Sequence, residues 1–286
     1  MADKIKSSYK FSKSFYDDAI TQGKWWSKLY FKLLWGGVDD NEIARRVLSW
    51  IPDDFKGKML DVPVGTAVFT TEKYKRIKQA DVTCLDYSQD MLEQAEYRFR
   101  GAGITNIKTM QGDVGALPFE EDTFDYVLCM NGLHVFPNKD KAYSEILRTL
   151  KSGGELLACF YIAGEQKVAD WLAKTVMTRM GWFTPPFDTA NDVRQRLEPY
   201  YDILDFHVEG AMLYFRAQKR EYYLLGTIIH YFIVPLQHGY GFTRFLHIAL
   251  ERGLRDGSLP AIGIFHRRSA ACFRAAEVLC QLSFAE

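Results

Sequence analysis

Four short stretches each place an acid or amide just after an apolar run: Asp61 in "LDVPVGTAVF", Asp86 in "CLDYSQDML", Asp113 in "QGDVGALPF" and Asn131 in "MNGLHVF". A carboxylate at such a point can accept hydrogen bonds from hydroxyls or amines of a ligand. The first acid opens a tight loop, Pro63-Val64-Gly65-Thr66-Ala67. A dinucleotide asks such a loop for three glycines, because its pyrophosphate must approach the backbone and the following helix must pack close to the strand. Here one glycine remains. A ligand without phosphate, an adenosine joined to an amino acid, makes the weaker demand of a snug turn with polar groups for its amine, carboxylate and ribose. Each acid also has a plain structural role open to it: Asp61 can cap a turn, and Asp86 can cap the helix that starts near Ser88.

The elements that must position these residues alternate along the chain. Apolar runs at 58–64, 80–88, 104–113, 124–132 and 153–162 read as strands. Between them, "SQDMLEQAEYRFRGAG" puts Met91, Leu92, Ala95 and Phe99 on one helical face, with Ser88 as N-cap and Gly101 as stop. "NKDKAYSEILRTLKSGG" puts Tyr143, Ile146, Leu147 and Leu150 on one stripe and ends at Gly153-Gly154. Strands alternating with helices predict an α/β, Rossmann-like, doubly wound and mostly parallel sheet, with ligands at the carboxyl ends of its strands. "YDILDFHVEGAMLYFRAQK" adds a hairpin turning at Glu209-Gly210, which completes seven strands. The spacing predicts a helical N-terminal cap over 1–50, a ligand-binding domain over 51–218 and a helical C-terminal extension over 219–286.

Composition excludes several function classes. The 286 residues carry 36 Lys plus Arg and 36 Asp plus Glu, so no net charge draws the chain to nucleic acid or an anionic membrane. The charged N-terminus lacks the apolar core of a signal peptide, and no apolar run reaches the roughly 20 residues of a membrane span. A cytoplasmic protein without stable membrane insertion is expected. Cys84, Cys129, Cys159, Cys272 and Cys280 show no CxxC spacing and read as reduced core residues, with no metal site.

Residues 40–218 resemble the class I S-adenosylmethionine (SAM)-dependent methyltransferases, and within them a bacterial branch of the ubiquinone/menaquinone-methyltransferase-like group that carries a "DVPVGT" first motif. The likeness rests on "LDVPVGTAVF", "CLDYSQDML", "QGDVGALPFEEDTFDYV" and "MNGLHVFPNKDKAYSEILRTLKSGGELLACFYI" in that order. It implies SAM as cofactor. It gives Asp61, Gly65 and Thr66 to the first motif and the methionine amine, and Asp86 to both ribose hydroxyls. Tyr87 and Met91 would pack on the adenine, Asp113 and the Val114 amide would receive its amino group, and Asn131 would line the methionine side. Pro63 and Ala67 stand where many relatives have glycine.

His134 suits proton transfer near neutral pH and lies just past a strand end, which makes it the candidate catalytic base. Its bland alternative is a histidine the reaction does not use. Methyl transfer asks mainly for alignment in a dry pocket, and a base only when the acceptor is a hydroxyl or an acidic carbon. The aromatic N-terminal stretch offers Tyr9, Phe15, Tyr16, Trp25 and Trp26 as walls for a flat or apolar small-molecule acceptor, and "GWFTPPF" in the 161–200 insertion offers Trp182 and Phe183. The tail beyond 218 reads as two or three helices, buried or subunit-facing, which leaves a homo-oligomer open. The leading function is methyl transfer to a small aromatic or lipophilic acceptor. The alternative is a SAM-binding, catalytically silent scaffold that works through its C-terminal helices; a nicotinamide-dependent oxidoreductase comes third, weakened by the missing glycines.

Overall fold

A computed structural model of the chain describes residues 37–220. The aromatic candidates Tyr9, Phe15, Tyr16, Trp25 and Trp26, and the C-terminal helices beyond residue 220, lie outside the described residues, as do Cys272 and Cys280.

Seven strands form one sheet in the order β3-β2-β1-β4-β5-β7-β6. β1 (Lys58–Asp61) sits between β2 (Asp81–Asp86) and β4 (Phe124–Met130), with β3 (Ile107–Gln111) at one edge; these strands and β5 (Leu150–Tyr161) run parallel. β7 (Met212–Lys219) pairs antiparallel with β5, and β6 (Tyr201–Glu209) antiparallel with β7. This is the seven-stranded architecture expected from the alternating pattern and the final hairpin. The switch point falls between β1 and β4, where successive crossovers leave in opposite directions and a crevice opens at the strand ends.

Burial follows strand position. Leu156 to Tyr161 of β5 are all buried, as a central strand covered on both faces requires. The edge strand β6 carries Asp202, Asp205 and Glu209 and is largely half-exposed, which protects an open edge from adventitious pairing. On one face of the sheet pack α1 (Asp40–Ser49) and α3 (Gln89–Gly101), through Ile43, Val47, Leu92, Ala95 and Phe99. On the other pack α4 (Lys139–Thr149) and α7 (Ala190–Leu197), through Ala142, Ile146, Val193 and Leu197. Cys84, Cys129 and Cys159 are free thiols within these cores.

Helix ends obey local chemistry. Ser88 caps α3 by accepting from the Met91 amide, and Thr189 with Asp192 forms a reciprocal capping box on α7. One boundary differs from the sequence reading: α4 stops at Thr149 rather than at Gly153-Gly154. Leu150 already pairs with Phe124 across an irregularity in the β4–β5 ladder, so tertiary pairing overrides the local glycine signal.

The segment after β5 is helical in three short pieces: α5 (Lys167–Leu172), a π-helical stretch (Ala173–Met177) and α6 (Thr178–Met180). Gly181 ends it in the left-handed conformation (φ 76°), and the Trp182 amide bonds back to the Met177 carbonyl at 2.9 Å. This stop turns the chain toward the strand ends and delivers Trp182 there.

Candidate cofactor site

The chain leaves β1 at Asp61 and is sewn at once to both neighbouring strands. The Val62 amide donates to the Leu128 carbonyl at 2.9 Å, and the Val64 amide to the Leu85 carbonyl at 3.0 Å. Val62–Pro63 is a cis peptide. Pro63 lies so close to Gly132 that a Cβ on Gly132 would come within 2.4 Å of its Cδ, so the proline in the loop requires the glycine opposite. Gly65 takes φ 57°, which a residue without Cβ adopts freely, and a Cβ there would meet nothing within 4 Å. Its amide faces the end of β2, donating to Asp86 Oδ2 at 2.9 Å.

Ala67 also takes a left-handed φ, 58°. A glycine would hold this turn without penalty; alanine holds it at a cost of roughly 1 kcal/mol. The backbone therefore keeps the turn of a glycine-rich loop although the side chain has changed. α2 (Thr71–Tyr74) follows directly, with the Thr71 hydroxyl donating to the Ala67 carbonyl at 2.6 Å.

Around this loop lies an open cleft. Asp61, Gly65, Thr66, Asp86, Met91 and Asn131, all expected from sequence to touch the cofactor, line it together, and so does the acceptor candidate Trp182. Among the described residues its titratable lining is Asp61 and Asp86. Asp86 is buried, and both its oxygens receive backbone amides: Gly65 on Oδ2, and Ser88 on Oδ1 at 2.8 Å. Burial still pushes its carboxyl above the usual range. Asp61 is 1% exposed and accepts the Tyr74 hydroxyl on Oδ2 at 2.6 Å. Burial raises its carboxyl to about 7 against the opposing effect of that hydrogen bond, and the nearby Asp86 charge adds to the rise. Asn131 sits at φ 54°, a conformation its residue type tolerates, and its buried Oδ1 has no hydrogen-bond partner among the described residues.

An orphaned buried acceptor in a cleft lined by two carboxylates calls for a donor-rich, cationic ligand. The open space over Gly65 admits that ligand against the loop backbone. The amine and ribose hydroxyls of SAM match this donor demand, so the residues present fit the cofactor.

Other candidates stand elsewhere. Tyr87 is 46% exposed and does not line the cleft. Asp113 Oδ1 accepts the Gly115 amide at 2.7 Å and caps a 3-10 turn over Val114–Ala116; neither it nor the buried Val114 lines the cleft. Phe183 is buried against the His134 ring, with centroids 4.1 Å apart, and contacts Tyr161 and Phe187. His134 itself is buried outside the cleft, its Nδ1 facing the Tyr161 amide at 3.3 Å. Burial and the Lys139 charge push it down to about 3, so it is neutral at physiological pH and a weak proton acceptor. Phe69, Met130 and Val135 complete the apolar side of the cleft and escaped the sequence reading. Nothing in their local pattern separates them from core residues.

Comparison with known proteins agrees with this geometry. Residues 59–154 match the family described as methyltransferase domain. A demethylmenaquinone methyltransferase of Bacillus subtilis is 36% identical over 101 residues, covering 35% of this chain and 43% of the relative. The ubiquinone/menaquinone biosynthesis C-methyltransferase UbiE of Shewanella pealeana is 34% identical over 164 residues, covering 54% and 65%. The chain thus spans between about two fifths and just under two thirds of the curated relatives it matches. Among solved structures, the YcgJ protein of Bacillus subtilis superposes with a TM-score of 0.52 at 16% identity, covering 63% of this chain and 99% of that one. The [4+2]-cyclase SpnF superposes with a TM-score of 0.54 at 18% identity, covering 63% and 80%. A cyclase among the neighbours shows that this fold alone does not fix the reaction. Residues 59–154 are thus similar to the methyltransferase domain, and the chain is similar to ubiquinone/menaquinone methyltransferases over the stretches they share.

Proposed function

We propose that the protein transfers a methyl group from SAM to a small lipophilic acceptor of the quinol class. The observation that carries the cofactor assignment is the buried, unpartnered Asn131 Oδ1 in the same cleft as Asp61, Gly65 and Asp86. When bound, SAM supplies a methyl group made electrophilic by its sulfonium.

In this reading Gly65 lets the loop backbone lie against the ligand, Asp86 receives the ribose hydroxyls, and Asp61 and Asn131 receive the amine. Asp86 does so while tied to the Gly65 and Ser88 amides, so its position is set before the ligand arrives. Tyr87, Asp113 and Val114 take the adenine end in this reading, beyond the residues that line the cleft. Phe69, Met130, Val135 and Trp182 supply an apolar side against which a flat acceptor can lie and from which water is excluded. With Asp61 and Asp86 as the titratable groups in the cleft, and His134 neutral and outside it, we assign the rate enhancement to alignment and desolvation, with no proton transfer through His134.

The acceptor class rests on the relatives, which are named for menaquinone and ubiquinone biosynthesis. A cytoplasmic enzyme that takes a lipophilic small molecule fits this reading. The test is transfer of labelled methyl from SAM to a demethylated naphthoquinol, read as label in the organic phase. Transfer lost in an Asp86→Ala variant supports the proposal; binding of SAM without transfer to any quinol would move the acceptor to another class. Persistent SAM binding with no transfer to any acceptor would favour the silent scaffold.

A further inference from the structure

The methyl transfer itself makes no use of Tyr74, yet this residue is fully buried and its hydroxyl meets Asp61 Oδ2 at 2.6 Å, within the range of a charge-assisted hydrogen bond. It sits at the end of α2, the turn that follows the cofactor loop, and its ring packs at a tilt on Phe99 of α3 with centroids 6.0 Å apart. The ring is thereby fixed, and the hydroxyl with it. The other titratable groups that face Asp61 are Cys84 and Asp86 from β2 and Cys129 from β4. None of these four groups is a cation. Lys73, next in sequence to Tyr74, is engaged with Asp53 at 2.5 Å.

We propose that Tyr74 is a positioning residue for cofactor recognition: its hydroxyl holds the Asp61 carboxylate in place and in its charged form, as the receptor for the ammonium of the bound ligand. This rests on the reading that the cleft takes SAM. Burial works against the charge on Asp61, and the Tyr74 hydrogen bond works for it. An ammonium binds the ionised carboxylate in preference to the neutral acid. Because the free carboxyl sits at about 7, affinity rises as pH climbs through that value, and binding below it releases a proton. Removing the hydroxyl takes away stabilisation of the anion, so the Asp61 titration moves to higher pH.

The test is calorimetric titration of the full chain with S-adenosylhomocysteine between pH ~6 and ~8, on wild type, Tyr74→Phe, Asp61→Asn and the double variant. Phenylalanine keeps the packing on Phe99, and urea unfolding checks that each variant is folded. Tyr74→Phe is expected to weaken binding roughly 10-fold at pH ~6 and roughly 2-fold at pH ~8, the pattern of a tenfold rise in proton affinity at Asp61. In Asp61→Asn the affinity is expected to be flat with pH, and adding Tyr74→Phe is expected to change it by less than about 2-fold. A loss in Tyr74→Phe that is the same at every pH, or no loss, would overturn the positioning role. Should the asparagine variant not fold, the pH dependence of the Tyr74→Phe loss alone decides. Failure of the wild type to bind S-adenosylhomocysteine would overturn the cofactor reading along with this one, and is told apart by appearing before any substitution.

Discussion

In the proposed role, Asp61 holds function against stability. An acid whose carboxyl is raised to about 7 in the folded state, from its ordinary value of 3.8, binds more protons folded than unfolded between those values. Its ionisation therefore lowers stability as pH rises from about 4 to about 7, and the penalty is fully present above that. Asp61→Asn is expected to raise stability by roughly 1 to 3 kcal/mol at pH ~8, with little change at pH ~4, while weakening ligand binding to a level that no longer varies with pH. Urea unfolding at the two pH values reads it. Gly132 supplies a second residue-level prediction. A methyl there would be driven into Pro63, so Gly132→Ala is expected to cost about 1 to 3 kcal/mol in the same assay.

At this scale the sequence was legible wherever the signal was local. Asp61, Asp86 and Asn131 could be picked out because each stands at a strand end, and Gly65, Thr66 and Met91 because they follow in the motifs that carry the family resemblance; the structure brings all six to one cleft. The left-handed turn at Ala67 was not legible, because alanine seldom adopts it and here the surrounding loop imposes it. Nor was Tyr74, since no periodicity links it to an acid across an irregular loop. The surroundings of His134 depend on Tyr161, Lys139 and Phe183, which only the folded chain assembles around it.

Elements divide into those that line the cleft and those that only support the sheet. α3 does both: Ser88 caps it, the Ser88 amide binds Asp86, and Met91 lines the cleft. α7 contributes no residue to the cleft lining among the described residues, so breaking its capping box by Thr189→Ala should cost about 1 kcal/mol of stability without changing ligand affinity. Thermal unfolding and titration together check this. An affinity loss would show that α7 is coupled to the site. The caps of α3 and α7 could be read directly from Ser88 and Thr189 because capping is a contact within one turn. The end of α4 could not, because pairing of Leu150 with Phe124 settles it from a distance in sequence.

Across the whole molecule, the strand order β3-β2-β1-β4-β5-β7-β6 places the first loop at the switch point, and everything the site requires follows from that position. Alternating strands and helices made this topology readable in advance. The apolar side of the cleft was not readable, because Phe69, Met130 and Val135 look like core in sequence. Among the described residues no helix is long and apolar enough to cross a membrane. A ligand that binds only the folded chain stabilises it in proportion to the logarithm of its concentration, about 2.7 kcal/mol at a hundredfold excess over Kd. S-adenosylhomocysteine should therefore raise the melting temperature progressively, whereas NADH should leave it unchanged.

The most direct test of the central claim is calorimetric titration of the full chain with SAM, S-adenosylhomocysteine and NADH, beside an Asp86→Ala variant. Saturable micromolar binding of the first two, absent for NADH and lost in the variant, is the expected result. Binding of NADH in their place, or no binding of either adenosyl ligand by a folded protein, would contradict it.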